Sequence, residues 1–318
     1  MKTIFVVIIL MSSYVCYSNE RVINDWDVVY AKVSDIQSPK DADFLLIQDY
    51  LLNGRRDYLK WLNYEWYIPS KADGLRYDFR ARNLKLGNNG EIDLELHKIL
   101  FNDDPNYRDC CVVCYGSWNS SYTEKISRIK KYLKKCHFTG HFLYRLGGWP
   151  DVEGGSLTLI HVPYSFKLCM IREAYRLGYK NIIWIDSAVI PGEKFNAILR
   201  YLEEDGYFLI DHVTKVAAHD SPMVVEAFSL TEYERASIPQ IQASLIGLNM
   251  ENERTRLFFE NSFEKMRKLK GFLSPRPEQV ALGIVAHRLK MFPQLPYSEV
   301  FTEEGNVETM NHFYKLAR

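Results

Sequence analysis

The strongest constraint on this chain is a regular alternation of short apolar runs with amphipathic segments, which begins at Asp109. Buried strands are predicted for the runs at 111–115, 141–146, 181–185 and 207–210, and helices for 121–133, 164–177 and 191–204. Strands that alternate with helices of this length indicate a mainly parallel sheet covered on both faces. The sequence therefore predicts an α/β fold with a doubly wound sheet over residues 106–318.

The region before this alternation has a different character. Residues 19–105 are rich in aromatic and charged side chains, and no catalytic pattern occurs in them. Apolar residues recur at helical spacing over 41–62, and a second helix is predicted for Ile92–Phe101. We interpret residues 19–105 as a helical N-terminal extension that packs on the α/β domain.

The first 18 residues have the pattern of a targeting segment. A positive start at Lys2 precedes an apolar run from Ile4 to Met11, and small residues at Cys16 and Ser18 suit a signal peptidase. The run is shorter than the roughly 20 residues that span a bilayer. We expect cleavage after Ser18 and an exported mature protein (periplasmic, secreted or in the secretory-pathway lumen) with no stable membrane span. An uncleaved anchor and a buried N-terminal strand are the alternatives.

Charge limits the choice of partners. The chain has 40 Lys and Arg against 40 Asp and Glu, whereas a protein that coats nucleic acid needs a surplus of cations. We therefore expect no nucleic-acid partner. The balance hides one local excess, since six basic residues and one acidic residue occupy 124–135. This run is either the solvated face of an amphipathic helix or a source of cations for an anionic ligand.

Asp186 is the most informative single residue. It directly follows the apolar run 181–185, and doubly wound sheets bind ligands at the carboxyl ends of their strands. A carboxylate there can hold a divalent cation or orient a ligand hydroxyl, while Ser187 adds a hydroxyl group and Ala188 leaves space. The alternative is an Asp that merely caps a nearby helix.

Five short motifs are similar to those of one enzyme superfamily. They are Tyr164-Ser165-Phe166-Lys167, Ala174-x-x-x-Gly178, Ile183-Trp184-Ile185-Asp186-Ser187-Ala188, the run 242–248, and Glu278-Gln279. Together they resemble the nucleotide-diphospho-sugar transferases, the GT-A glycosyltransferases, whose fold is Rossmann-like. The resemblance covers roughly residues 109–295, and its motifs are short.

The resemblance implies a sugar-nucleotide site. The family's Asp-x-Asp motif, which binds a metal ion and the diphosphate, corresponds to Asp186, Ser187 and Ala188, so the second Asp is missing. Mn²⁺ or Mg²⁺ would then be held by Asp186 together with phosphates, or basic side chains would neutralise the leaving group instead. Lys167 matches a family lysine that could meet a phosphate or pair with a carboxylate. Gly116 and Ser117 correspond to the position of the base or ribose.

The expected activity is transfer of a sugar from a nucleotide sugar to a carbohydrate or glycan acceptor. Such transfer needs a base for the acceptor hydroxyl, and the candidates are Asp151, Glu153, Asp211 and Asp220. Asp186, Asp211 and Glu153 form the predicted catalytic set. The Gly-rich segment 147–155 could act as a lid that stacks Trp149 on a sugar, although an ordinary exposed loop is the alternative.

Two other functions remain open at this point. One is a non-catalytic sugar- or protein-binding module on a GT-A scaffold. The other is a secreted metal-dependent hydrolase that uses His212, His219 and the neighbouring Asp211 and Asp220.

Overall fold

The structure, a computed structural model, describes residues 65–69, 76–80, 95–116, 120–146, 149–153, 159, 162, 164–268, 270–304 and 307–310. The predicted signal segment 1–18, the predicted helix 41–62 and Ser117 lie outside the described residues. Among the helices of the described part, none is both long and apolar enough to cross a membrane.

The described part is mixed α/β. Its strands are β1 (Glu65–Pro69), β2 (Arg76–Arg80), β3 (His97–Phe101), β4 (Cys110–Gly116), β5 (Gly140–Leu146), β6 (Asn181–Ile185), β7 (Val189–Ile190), β8 (Tyr207–Phe208), β9 (Ile210–Lys215), β10 (Pro239–Ile241), β11 (Leu245–Asn249), β12 (Leu295–Pro296), β13 (Phe301–Glu304) and β14 (Val307–Met310). Its α-helices are α1 (Ser120–Lys135), α2 (Phe166–Arg176), α3 (Ala197–Glu204), α4 (Pro222–Phe228), α5 (Glu232–Ser237), α6 (Glu253–Arg267), α7 (Pro277–Arg288) and α8 (Tyr297–Val300).

A six-stranded sheet in the order β3-β5-β4-β6-β11-β8 forms the centre. Strands β5, β4 and β6 are parallel, β8 runs in the same direction, and β3 and β11 run the opposite way. The mostly parallel central sheet predicted from the sequence is therefore confirmed. Smaller sheets are formed by β10-β9-β12, β13-β14-β7 and β1-β2.

Side-chain alternation along the central strands divides the core in two. On one face Val113, Trp184 and Ile246 pack against residues of α2, α6 and α7. On the other face Val112 and Ile183 join residues of α1 and α3. All seven residues of β4 are buried, as expected for a central parallel strand with helices on both faces.

The chain reverses its direction of travel across the sheet between β4 and β6. From β4 it passes through α1 to β5 on one side, and from β5 through α2 to β6 on the other side of β4. The carboxyl ends of β4 and β6 are therefore a topological switch point, where open α/β sheets form their ligand crevice.

Two predictions about local structure are wrong. The helix expected over Ile92–Phe101 is replaced, from His97 onward, by the edge strand β3, which pairs with β5. Its burial alternates between half-buried and exposed residues, with Leu100 exposed, which is the period of a strand rather than a helix. The helix expected to open at Pro191 begins instead at Ala197, after a turn.

Candidate functional site

Asp186 lies at the carboxyl edge of the central sheet, directly after β6. Its backbone N–H donates to the carbonyl of Ser244, 2.8 Å away, so β11 fixes the main chain at this point. The side chain is about 30% exposed. The strand-end position predicted for this carboxylate is therefore the observed one, at the switch point.

Two neighbours orient the carboxylate of Asp186. The indole Nε1–H of Trp184 donates to Oδ1 over 2.8 Å, and Lys167 Nζ lies 3.1 Å from both carboxylate oxygens. A carboxylate offers about four lone-pair sites, so acceptor positions on the exposed side remain for a ligand. Asp186 is thus a pre-oriented hydrogen-bond acceptor.

Lys167 is a buried cation with three acceptors. Its Nζ contacts Glu278 Oε1 at 2.9 Å and the carbonyl of Ala243 at 3.1 Å in addition to Asp186, and 5% of the side chain is exposed. Burial alone would lower the pKa of Lys167, but the charges of Asp186 and Glu278 outweigh it and raise that pKa well above its usual value. An ammonium group has three N–H donors, and all of them are used here.

Glu278 completes this ion cluster from the first turn of α7. Its side chain is 7% exposed, and a carboxylate in the first turn also interacts favourably with the helix dipole. Lys167, Asp186 and Glu278 together carry one positive and two negative charges. The cluster therefore has a net charge of −1 and joins α2, β6 and α7.

The segment before α2 is held in an unusual conformation. Tyr164 has φ of 56°, in the left-handed region that costs a non-glycine residue free energy, and its ring lies 5.7 Å from Lys167 Nζ. Next to it, Phe166 stacks on Tyr115 at the end of β4, with ring centroids 5.0 Å apart. Backbone strain of this kind is concentrated at functional sites.

The remaining predicted ligand-binding residues lie at the same sheet edge as far as they are described. Gly116 ends β4, and an added Cβ would meet Tyr122 and Ile126 of α1 at 3.0 and 3.2 Å, so glycine permits the close packing there. Ser187 is buried beside Asp186. Ala188 presents only a methyl group.

The predicted lid does not present an aromatic side chain to solvent. Trp149 is buried against Tyr115, in an edge contact with ring centroids 5.9 Å apart, because it fills the core beneath β4. Its stacking on a sugar from an open loop is therefore not supported by this conformation. Glu153 lies 3.6 Å from Arg172 and 4.0 Å from Arg176, so its charge is paired on the outer side of α2.

The histidines proposed for a hydrolytic metal site have separate partners. His212 contacts Thr214 and Arg276, whereas the buried His219 contacts Gln240. Asp220 forms a buried ion pair of 2.5 Å with Arg235. No group of three or more His, Cys, Asp or Glu that could hold a metal occurs within the described residues, so the predicted hydrolase constellation is not assembled.

Asp211 is a candidate base with an oxygen still available. It lies in β9, where its Oδ1 accepts from the backbone N–H of Val213 over 2.9 Å. In the adjacent strand β10, the residue opposite Asp211 is Ile241. Ile241 precedes the segment Gln242-Ala243-Ser244, which lies beside Asp186.

The basic run at 124–135 agrees better with the solvated face of an amphipathic helix than with a source of cations for a ligand. Lys131, Lys134 and Lys135 are exposed near the end of α1, which lies at the opposite edge of the sheet from Asp186. Lys130 donates to the Tyr144 hydroxyl over 2.6 Å. Lys131, Lys134 and Lys135 are therefore placed away from the switch point.

Sequence reasoning did not identify Trp184 Nε1–H as a donor to Asp186, nor Arg276 as a neighbour of the site. The first follows from a period of two in β6, since residues 184 and 186 share a sheet face. The second depends on the packing of α7, which no local signal reports.

No family model matches the chain, and no curated protein matches it.

Proposed function

We propose that the protein is a glycosyltransferase that moves a sugar from a nucleotide-sugar donor to a carbohydrate or glycan acceptor. The observation that carries this proposal is a pre-oriented, partly exposed carboxylate, Asp186, at the topological switch point of a mostly parallel sheet. Acceptor lone pairs aimed into such a crevice suit ligand hydroxyl groups, and sugars carry many of them.

In this proposal Asp186 accepts hydrogen bonds from hydroxyl groups of the donor sugar. Lys167 and Glu278 are positioning residues, because the three donors of Lys167 are used on protein acceptors. The base or ribose is assigned to the end of β4, at Gly116 and Ser117. Ser187, which follows Asp186 in the chain, is assigned to the donor as well. The net charge of −1 on the ion cluster favours neutral hydroxyl groups over a phosphate at Asp186 itself.

The residues present do not fit a protein-held Mn²⁺ or Mg²⁺ ion. Both oxygens of Asp186 lie 3.1 Å from an ammonium group, which would repel a second cation, and Ala188 cannot ligate a metal. Mg²⁺ and Mn²⁺ sites use oxygen ligands, usually with carboxylates from the protein. The proposed transfer therefore uses no protein-held metal ion.

In the proposed transfer, the bond between the sugar's anomeric carbon and the oxygen of the terminal phosphate breaks, and its electron pair leaves with the nucleoside diphosphate. The acceptor oxygen forms the new bond to the anomeric carbon, and its proton passes to a base. Asp211 is the proposed base, since its Oδ2 has no hydrogen-bond partner among the described residues.

Release of nucleoside diphosphate from a panel of nucleotide sugars tests the proposal. The panel should be run with and without EDTA and with pooled glycan acceptors, because acceptor and donor are both unassigned. We expect one donor to be turned over, and Asp186→Asn to lower kcat/KM at least tenfold while Glu203→Gln, which neutralises an exposed carboxylate, leaves it unchanged.

Two results would contradict the proposal. The first is turnover of no donor by the intact protein. The second is equal turnover by the wild type and Asp186→Asn. Donor binding without turnover would instead favour the non-catalytic sugar-binding module on the same scaffold.

A further inference from the structure

Departure of a nucleoside diphosphate builds negative charge that must be neutralised, and the ion cluster at Asp186 cannot supply the cation. Lys167 is the cation of that cluster, and its donors are already used. A second positive group must therefore lie within reach of the crevice if the proposed chemistry is correct.

Arg276 directly precedes α7 and is half-buried. Its Nη1 contacts His212 Nε2 and, at 3.2 Å, Gln279 Oε1. No carboxylate lies within ion-pair distance of this guanidinium group in the part of the chain that the structure describes. By contrast, Arg145, Arg172 and Arg235 each face a carboxylate at 2.5–2.6 Å.

The partners of Arg276 leave donors for a ligand. A guanidinium group has five N–H donors, and Nη1 serves both His212 and Gln279. Nη2 and Nε, which form the bidentate edge that matches phosphate oxygens, make no hydrogen bond to any described residue. An uncompensated, half-buried positive charge with a free edge is suited to a phosphate group.

Two routes through the fold connect this arginine to the ion cluster. Along α7, Arg276 is two residues from Glu278, so their Cα atoms are at most about 7 Å apart, and Glu278 contacts Lys167. Along the second sheet, His212 follows Asp211, which is opposite Ile241 in β10. The carbonyl of Ala243, two residues after Ile241, accepts from Lys167.

The beginning of α7 adds to the positive potential. The helix has 12 residues and starts with Pro277, and the backbone N–H groups of Glu278 and Gln279 in its first turn have no partner within the helix. The helix dipole places a partial positive charge at the same end. Hydroxyl recognition at Asp186 and phosphate recognition at Arg276 would then occupy adjacent parts of one crevice.

We infer that Arg276, oriented by His212 and Gln279, binds the diphosphate of the donor and neutralises the leaving group in place of a metal ion. The inference rests on the proposed glycosyltransferase function for the identity of the ligand. The shared chemistry is a diphosphate anion, so inorganic pyrophosphate is a probe that needs no knowledge of the base or the sugar.

Calorimetric titration with pyrophosphate in EDTA tests the site directly. We expect the wild type to bind without a divalent cation and Arg276→Gln to weaken binding roughly ten- to hundredfold, the loss typical of a charged hydrogen bond. Arg276→Lys keeps the positive charge but loses the two parallel donors of the guanidinium group, so its affinity for pyrophosphate should lie between those of the wild type and Arg276→Gln. Gln279→Glu places a carboxylate against the guanidinium and should weaken binding as well.

Arg267→Gln is the matched control, since it removes an exposed arginine on α6 and should leave pyrophosphate binding unchanged. If Arg276→Gln does not fold, the Arg276→Lys and Gln279→Glu variants decide the question. Pyrophosphate binding that is absent from the wild type, or that is equal in the wild type and the Arg276 variants, would overturn the inference.

The two proposals fail in different ways. Binding that depends on Arg276 without turnover of any nucleotide sugar would keep the anion site and reject the transferase. Turnover that depends on Asp186 and is unaffected by Arg276→Gln would keep the transferase and reject the role of Arg276.

Discussion

Replacement of Lys167 by Met removes the cation of the buried cluster while keeping the length of the side chain. Breaking a buried ion pair by deleting one partner typically costs 3–5 kcal/mol. Glu278 is 7% exposed and cannot rehydrate, whereas Asp186 is 30% exposed and can. We therefore expect a loss near the lower limit, about 3 kcal/mol, or a fall in Tm of about 6–12 °C for a domain of this size.

Burial lowers the pKa of Lys167, but the charges of Asp186 and Glu278 outweigh it and raise that pKa on folding. The charged lysine therefore contributes its stability at every pH below about 10.4, the pKa expected for lysine in the unfolded chain. The loss should be present in full at pH 7, measured by urea unfolding.

Lys265→Met is the matched control for this measurement. Lys265 is half-buried, contacts the carbonyl of Ala227 and the ring of Phe228, and has no carboxylate partner among the described residues. Its replacement should cost about 1 kcal/mol or less in the same urea unfolding measurement. A loss under about 1 kcal/mol for Lys167→Met, or a loss equal to that of Lys265→Met, would refute the assignment of a buried ionic cluster.

Two further predictions concern the scaffold. Gly283 lies where α7 meets β10, and an added Cβ would clash with the Pro239 carbonyl oxygen. Gly283→Ala should therefore lower the free energy of unfolding by about 1–3 kcal/mol, measured in urea. A cost below about 0.5 kcal/mol would contradict this close approach. Burial raises the pKa of all five described thiols, that of Cys136 to about 11, so none should react with a maleimide at pH 8 in the folded protein. Mass spectrometry of the labelled, digested protein identifies each site, and labelling of Cys114 or Cys169 at the rate of an unfolded control would be inconsistent with the packed core.

The local pattern of apolar and polar residues was sufficient to predict the central strands and the position of Asp186 at the end of one of them. The buried run of β6 was predicted because it depends on a few adjacent residues. A strand that ends in a carboxylate on a parallel sheet indicates a crevice without further information. This is why the sequence located the candidate site.

Predictions from the local sequence pattern were wrong where contacts between distant parts of the chain determine the structure. The segment His97–Phe101 is short and weakly apolar, and its pairing with β5 makes it a strand. Trp149 lies in a glycine-rich segment that suggests exposure, yet Tyr115 and the core cover it. Both outcomes depend on tertiary contacts that a local window does not contain.

The roles within the site needed the same non-local information. Lys167 was expected to meet either a phosphate or a carboxylate, and the packing of α7 brings Glu278 to it. The same packing brings Arg276 to His212. The sequence thus singled out Asp186, Lys167 and Glu278 but not Arg276, whose proposed role follows only from the helix–sheet contacts.

Equilibrium titration of nucleotide sugars into the protein in EDTA, with Asp186→Asn and Glu203→Gln alongside the wild type, tests whether Asp186 binds the donor sugar. We expect at least one nucleotide sugar to bind without a divalent cation. Asp186→Asn should weaken that binding at least tenfold, whereas Glu203→Gln should leave it unchanged. Binding of no nucleotide sugar, or equal affinity for the wild type and Asp186→Asn, would contradict this role of Asp186.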